Sequence, residues 1–366
     1  MESDNKLFLL DAYALIYRAY YAFIKNPRIN SKGFNTSAIL GFVNTLEEVL
    51  KKENPSHIGV AFDPSGPTFR HEAFEQYKAQ REETPEAIRL SVPIIKDIIH
   101  AYRIPILKVA GYEADDVIGT LATEAGRQGI TTYMMTPDKD YGQLVTDNVF
   151  MYRPKHTGGF EVMGIEEVKA KFDIQSPAQV IDMLGLMGDA SDNIPGCPGV
   201  GEKTAQKLIA EFGSIENLLE HTDQLKGALK TKVETNKELI TFSKFLATIK
   251  IDVPIQLEMD KLIREQADED SLRQIFEELE FRTLIDRVLK KENSAGGVTM
   301  ATGSKTTTAK SAPSPLPLFP EEGGAIQGDL FANFTGNDAG EAKKSNLETL
   351  ETLNCDYQLI DTEKKR

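Results

Sequence analysis

The chain has 366 residues, long enough for more than one domain, and its 40% apolar and 27% charged content is that of an ordinary globular protein. The start carries acids and only four consecutive apolar residues, which fits neither a signal peptide nor a membrane span, so the expected location is cytoplasmic. Two cysteines, Cys197 and Cys355, lie far apart, and five histidines are scattered, which excludes a disulfide framework and a zinc spacing. The formal charge of −14 argues against a nucleic-acid partner, but local patches decide binding, and bound divalent cations would offset clustered acids.

In chain order, an apolar run Leu7–Leu10 ends in Asp11, and helical patterns follow over Tyr13–Phe23 and Thr36–Lys52. A second run, His57–Phe62, ends in Asp63. The stretch Asp63–Arg89 has little sheet character and carries Arg70, Lys78, Arg81 and Arg89 with Phe69, Phe74 and Tyr77 between them. That composition fits a solvated helical excursion, or a clamp over a charged polymer, since Lys and Arg contact phosphates and aromatics stack on bases. A helix over Pro85–Tyr102 precedes a third run, Ile104–Ala110, and then Gly111-Tyr-Glu-Ala-Asp-Asp-Val-Ile-Gly119, with Glu113, Asp115 and Asp116 opening another helical pattern. Acids in a first turn complement the helix dipole, yet three are more than a cap needs. A fourth run, Thr131–Met135, leads at once to Asp138 and Asp140.

Apolar runs alternating with helices predict a mostly parallel sheet flanked by helices, and sites in such sheets form beyond the carboxyl ends of the strands. Asp189 and Asp192 follow in the turn entering a helical part. Nine carboxylates therefore converge on one edge: Asp11, Asp63, Glu113, Asp115, Asp116, Asp138, Asp140, Asp189 and Asp192. Two unit charges 4 Å apart repel by roughly 4 kcal/mol at an effective dielectric of about 20, so the cluster must bind cations or take up protons. All-oxygen ligation selects hard ions, Mg²⁺ or Mn²⁺, and so many carboxylates suit two or more; a metal pair activates water for phosphodiester hydrolysis. Calcium storage, the alternative, usually uses contiguous loop ligands, and no such run is present.

Gly196-Cys-Pro-Gly-Val-Gly201-Glu-Lys203-Thr204 superficially resembles a P-loop, but Glu202 separates the last glycine from Lys203 and no strand precedes it. A tight Gly199-Val200-Gly201 turn between two helices is the pattern of a helix-hairpin-helix, which points N–H groups at a DNA phosphate, with Lys203 and Lys207 nearby. A purely structural turn between helices is the other reading. The helix Lys203–Phe212 ends at Gly213, and further helices are expected over about 225–250 and 270–290, the last capped by Asp270 or Ser271. From about 293 to 345 the composition is that of a disordered linker, and 346–366 reads as the start of a further folded unit.

These motifs, with Tyr17-Arg18, Phe69-Arg-His-Glu72 and Tyr77-Lys-Ala-x-Arg81, occur in an order that resembles the 5′→3′ exonuclease (flap endonuclease-like) domain of bacterial DNA polymerase I, over about residues 5–290. The resemblance implies a PIN-like α/β core over 1–180 with a helical arch at about 64–90, and a helix-hairpin-helix subdomain over 181–292. It implies Mg²⁺-dependent cleavage of DNA at 5′ flaps and nicks, in primer removal and excision repair, by a nucleoid-associated monomer with proofreading-type and polymerase domains downstream. By matching position, Asp11, Asp63, Glu113, Asp115 and Asp116 would form one metal site, and Asp138, Asp140, Asp189 and Asp192 would form or support the second. Arg18, Arg70, Lys78 and Arg81 would steer the scissile phosphate and 5′ strand beside Tyr77, while Gly199, Val200, Gly201, Lys203, Thr204 and Lys207 would grip the duplex. A K⁺ ion held by carbonyls near Gly199–Gly201 is also implied. One departure is visible, Ala12-Tyr13-Ala14 where the family often has Gly and small polar residues. In the linker, Gln327-Gly-Asp-Leu330-Phe331 is similar to peptides that dock on the bacterial sliding clamp. A DNA-binding module with non-catalytic metals and a PIN-like ribonuclease are the alternative readings.

Overall fold

A computed structural model describes residues 5–155 and 158–289; the expected linker, the clamp-like peptide with Gln327, Leu330 and Phe331, and the expected final unit lie outside them. Six strands form one sheet: β1 (Lys6–Asp11), β2 (His57–Ala61), β3 (Ile106–Leu107), β4 (Thr131–Met135), β5 (Val149–Pro154) and β6 (Phe160–Met163). Their spatial order is β3-β2-β1-β4-β5-β6, all neighbours parallel except the β5–β6 pair. The first four strands match the predicted runs, although the run at 104–110 contributes only two paired residues. The antiparallel addition of β5 and β6 was not among the predicted elements.

The sheet is buried on both faces, which is why its central strands read as continuous apolar runs. Along β1 the faces alternate: Leu7 and Leu9 pack with Val117, Ile118 and Leu121 of the helix Ala114–Arg127, whereas Phe8 and Leu10 pack with Ile39, Phe42 and Ile98 from the helices Ser37–Lys52 and Glu86–Ala101. Asp11 ends β1 and caps the helix Ala12–Ala22, its side chain accepting from the Ala14 N–H at 3.1 Å. That helix touches Ser37–Lys52 so closely that a Cβ on Gly41 would lie 2.6 Å from Ala19 Cβ.

The helical part is continuous with the first core. Val180 and Leu184 of Gln179–Met187, Leu208 of Glu202–Phe212, Val233 of Gly227–Thr235 and Leu246 of Lys237–Ala247 join the cluster that contains Leu7 and Leu9. The helix expected over 225–250 is thus two helices, broken at Asn236, and the one over 270–290 is also two, Glu269–Glu278 and Arg282–Leu289, separated by Glu280 at φ 64°. The cap of the former is Asp268, accepting from the Ser271 N–H at 3.0 Å, rather than Asp270 or Ser271. These last helices return to the opposite face of the sheet, where Leu272 and Phe276 pack with Phe8 and Ile58.

Gly41→Val is expected to destabilise the chain by about 1–3 kcal/mol through overpacking against Ala19. Urea denaturation checks this; an unchanged midpoint would mean that the two helices separate freely.

Candidate metal and nucleic-acid site

The strand order reverses direction between β1 and β4, and in open parallel sheets that switch point is where ligands bind, beyond the carboxyl ends. Asp11 stands at the end of β1, and Thr136 and Asp138 follow β4 directly. Thr136 Oγ1 and the hydroxyl of buried Tyr141 both donate to Asp11 Oδ2, at 3.3 and 3.2 Å. Asp63, just after β2, accepts from the Ala114 N–H at 2.8 Å, tying that strand to the helix that carries Asp115 and Asp116. Oxygens of Glu113, Asp115 and Asp116 lie within 4.8 Å of one another. Asp138 caps the 3₁₀ helix Lys139–Leu144 by accepting from the Asp140 N–H at 3.0 Å.

Asp189 and Asp192 come to the same edge through a tight loop. An antiparallel bridge pairs Asp189 with Ile194, and Gly188 and Gly196 pass so close that a Cβ on Gly196 would lie 2.3 Å from the Gly188 nitrogen. Only glycine fits there. The segment carrying Tyr77, Lys78 and Arg81 is pinned to this loop: the Lys78 N–H donates to Asp192 O at 3.0 Å, and Arg81 Nε to Ser191 O at 3.2 Å. Lys78 itself has φ 57°, a backbone region that non-glycine residues seldom adopt.

The acids divide into two electrostatic groups. Burial would raise Glu113, but Lys78 and Arg70 outweigh it and hold its carboxyl below the usual value; Lys78 Nζ lies 2.6 Å from Oε1. Burial likewise opposes ionisation of Asp192, and Lys78 and Arg81 overcome it. Tyr77 Oη joins the pair, donating towards Glu113 at 3.0 Å and Asp192 at 3.1 Å. Burial lowers the Lys78 ammonium, but Asp192 and Glu113 reverse that and keep it charged. In contrast, burial with Asp63 and Asp138 nearby pushes Asp11 up to about 7. Burial also raises Asp63, Asp115 with Asp116 beside it, Asp138 with Asp192 and Asp189 beside it, and Asp140 with Asp138 beside it. These five carboxylates lack sufficient positive charge from the protein, and Asp140 Oδ1 is one of two buried side-chain atoms among the described residues with no hydrogen-bond partner. An all-oxygen set with a buried unpartnered oxygen fits hard divalent ions.

Two of the expected site residues have every polar group engaged inside the protein. Arg70 is 1% exposed, and all five of its donors are engaged: Nε with Leu246 O, Nη1 with Glu113 and Asp116, and Nη2 with Asp116 and Thr248 O. Its guanidinium is thus held wholly within the protein. Asp116, fully buried, accepts from both Arg70 Nη atoms and from the Glu113 and Lys250 N–H groups, which fills its four acceptor positions; it supports the site rather than facing it. Arg18 donates to Lys155 O at 3.0 Å.

At the hairpin, Gly199 has φ 77° and Gly201 caps the helix Glu202–Phe212, whose first-turn N–H groups face outward with exposed Lys203 and Lys207. Val200 is buried and holds the turn against the core. The Gly199 carbonyl accepts from the Lys232 ammonium at 3.3 Å.

Tyr141 and Thr136 were not predicted as site residues. Their position directly beside Asp138 and Asp140 was the one available signal, and it could not show that both reach Asp11 across the switch point.

A doubly covered parallel sheet with an acidic switch point, closed on one side by the loop from Gly188 to Gly196 and a basic segment, defines an α/β domain of the 5′-nuclease class. The family model "5′-3′ exonuclease, N-terminal resolvase-like domain" matches residues 6–173, and "5′-3′ exonuclease, C-terminal SAM fold" matches residues 175–270. DNA polymerase I of Bacillus subtilis is 42% identical over 291 residues, 79% of this chain and 33% of that protein, and that of Bacillus caldotenax is 40% identical over 287 residues, 78% of this chain and 32% of the relative. The chain belongs to the 5′-3′ exonuclease family and spans about a third of the length of these relatives. Among solved structures, a bacteriophage T5 5′-exonuclease with bound zinc shares the fold at TM-score 0.56 and 22% identity, covering 75% of this chain and 98% of that one. The catalytic core of Rad2 in complex with DNA substrate has TM-score 0.52 and 18% identity, covering 75% and 88%.

Because protons and divalent ions compete for the same raised carboxylates, metal affinity is expected to rise with pH from about 6 to 8, through the value of about 7 for Asp11. Calorimetric titration with Mn²⁺ at several pH values checks this; an affinity independent of pH would contradict it.

Proposed function

We propose that the chain is a Mg²⁺-dependent 5′ nuclease that hydrolyses phosphodiester bonds of DNA, or of an RNA primer on DNA, at flaps, nicks and 5′ ends. The observation that carries this is the set of five under-compensated carboxylates, Asp11, Asp63, Asp115, Asp138 and Asp140, at the switch point. Asp11, Asp63, Glu113 and Asp115 would hold one ion, with Asp116 orienting them; Asp138 and Asp140 would hold a second, with Asp189 and Asp192 at its margin. Mn²⁺ would substitute. Bound ions would supply an activated water and neutralise charge on the leaving oxygen.

The remaining steps belong to the protein. Lys78 and Arg81 neutralise Glu113 and Asp192 here, so an incoming phosphate and divalent ions would let both cations turn to the phosphate. Tyr77 Oη orients Glu113 and Asp192 together. Away from the cut, the turn at Gly199, Val200 and Gly201, with Lys203, Thr204 and Lys207, would grip duplex backbone by N–H groups and charge, without reading bases. Arg18 would support the 5′ strand from the helix Ala12–Ala22. A T5 flap endonuclease and the catalytic core of Rad2, which share the fold, have each been seen in complex with DNA, which fits this placement.

Similarity to DNA polymerase I supports a cytoplasmic, nucleoid-associated protein whose polymerase modules follow this chain, acting as a monomer in primer removal and excision repair. No helix of the described residues is long and apolar enough to cross a membrane. The peptide with Gln327, Leu330 and Phe331 would dock the chain on a sliding clamp. Changing Leu330 and Phe331 together to Ala should abolish clamp binding in a pull-down; normal binding would remove this partner.

A 5′-flap duplex labelled at the flap end, incubated with the chain in Mg²⁺ and in EDTA, tests the reading. Metal-dependent cleavage near the junction is expected; binding without cleavage, with Mn²⁺ also tried, would make the chain a DNA-binding module. Asp115→Ala and Asp138→Ala should each abolish cleavage while leaving binding largely intact. Lys78→Ala should slow single-turnover cleavage by about 10²-fold, the cost of misplacing a reacting group, and an unchanged rate would remove Lys78 from the site.

A further inference from the structure

Residues 246–250 leave the helix Lys237–Ala247 and run between the two acid-bearing turns. Their backbone groups are bound alternately on two sides. On one side, Leu246 O and Thr248 O accept from Arg70, at 2.9 and 2.8 Å, and the Lys250 N–H donates to Asp116 Oδ1 at 2.8 Å. On the other, Gln143 Nε2 donates to Ala247 O at 3.1 Å, and Gln143 Oε1 accepts from the Ile249 N–H at 2.8 Å. Gln143 Nε2 also donates to Asp140 O at 3.0 Å, so the same side chain touches an acid turn and this segment.

Leu246 and Ala247 offer free carbonyls at the end of the helix, and from Thr248, at φ −77° and ψ 120°, the chain runs extended, so that its successive residues face opposite ways. Even-numbered residues address the turn of Glu113 to Asp116, odd-numbered ones the 3₁₀ helix that follows Asp138. The segment also lies flat on the helix carrying Asp115 and Asp116: a Cβ on Gly119 would lie 2.8 Å from Ile249 Cγ2, and Thr120 Oγ1 accepts from the Val253 N–H at 3.2 Å. Burying the Arg70–Asp116 pair costs desolvation, and such a pair is weak grounds for stability. Here it fixes a distance, because all its donors and acceptors are committed to elements that carry or bracket the acids.

We propose that residues 246–250 form a strap that sets the spacing of the two acid turns, with Arg70 and Gln143 as the positioning residues that anchor it. The inference rests on the metal-dependent reading of the site. Docking of the helical part would thereby be a condition for tight divalent-ion binding, since the strap is the exit of one of its helices.

The test is calorimetric titration of the whole chain with Mn²⁺ alone, for wild type, Gln143→Ala, Arg70→Lys and the double variant, with thermal melting of each. Gln143 carries no charge and Lys retains the charge of Arg70, so weakened ion binding cannot reflect a lost ligand charge. Each single variant is expected to lose about 10-fold in Mn²⁺ affinity, the lower end for groups that orient metal ligands, while still melting cooperatively. Both anchors act on one strap, so the double variant should lose less than the product of the two. Wild-type affinity in folded Gln143→Ala, or losses that multiply in full, would overturn the strap. Should Arg70→Lys fail to fold, half-buried Gln143→Ala alone decides. A wild-type chain that takes up no Mn²⁺, or takes it up undiminished in Asp115→Ala and Asp138→Ala, would overturn the metal-site reading and the strap with it. Unchanged affinity confined to the anchor variants would overturn the strap alone.

Discussion

Holding many carboxylates at one edge of a sheet is the constraint on which the rest of this structure depends. At an effective dielectric of about 20, each pair of like charges 4 Å apart costs roughly 4 kcal/mol, more than a typical hydrogen bond contributes. The chain meets part of this cost with four cations, of which Lys139 pairs with Asp189 at 3.1 Å. Arg70 is buried under Glu113 and Asp116, while Lys78 and Arg81 reach Glu113 and Asp192 from the segment above. Where burial and neighbouring acids outweigh the cations, as at Asp11, Asp115 and Asp140, the carboxylates keep raised proton affinities. Fold stability and ligand demand are two sides of the same imbalance, which the proposed divalent ions would complete.

The second-half helices are organised around that edge. The loop from Gly188 to Gly196 brings Asp189 and Asp192 to it, and the same loop pins Lys78 and Arg81 through Asp192 O and Ser191 O. The hairpin helix Glu202–Phe212 then presents its open N-terminus to solvent while Leu208 and Ile209 join the sheet's core. One continuous hydrophobic cluster connects the acidic edge with the hairpin, as a grip on backbone away from the proposed cut would require. The final helices instead cross to the other face of the sheet, where they cover Phe8 and Ile58 and take no part in the site.

Much of the site was legible because strand ends carry it. Asp11, Asp63 and Asp138 each follow an apolar run within a few residues, and the parallel order places such ends together. Short-range pattern could not tell which acids face the cation. Asp115 and Asp116 are adjacent in sequence, yet Asp116 turns inward to Arg70 and the Lys250 N–H while Asp115 stays half-exposed at the edge. Arg70 and Lys78 sit in one basic segment, yet one is sealed in the core and the other bridges two acids. β5 and β6 were missed since they follow β4 without a long helical pattern between them, and β6 turns back antiparallel at the sheet margin.

The sequence by itself determined the parallel sheet, the strand-end acids, the hairpin turn and the demand for a hard cation, because hydrophobic period, glycine placement and charge density are local properties. Only the tertiary structure decided the division of labour among those charges. Whether a carboxylate is saturated, as Asp116 is, or left short of partners, as Asp140 is, depends on groups up to 134 residues away that packing alone brings into contact. The partners of Asp116 are backbone amides as often as side-chain donors. Backbone groups are the same at every residue, so nothing in the order of amino acids marks which of them will meet an acid.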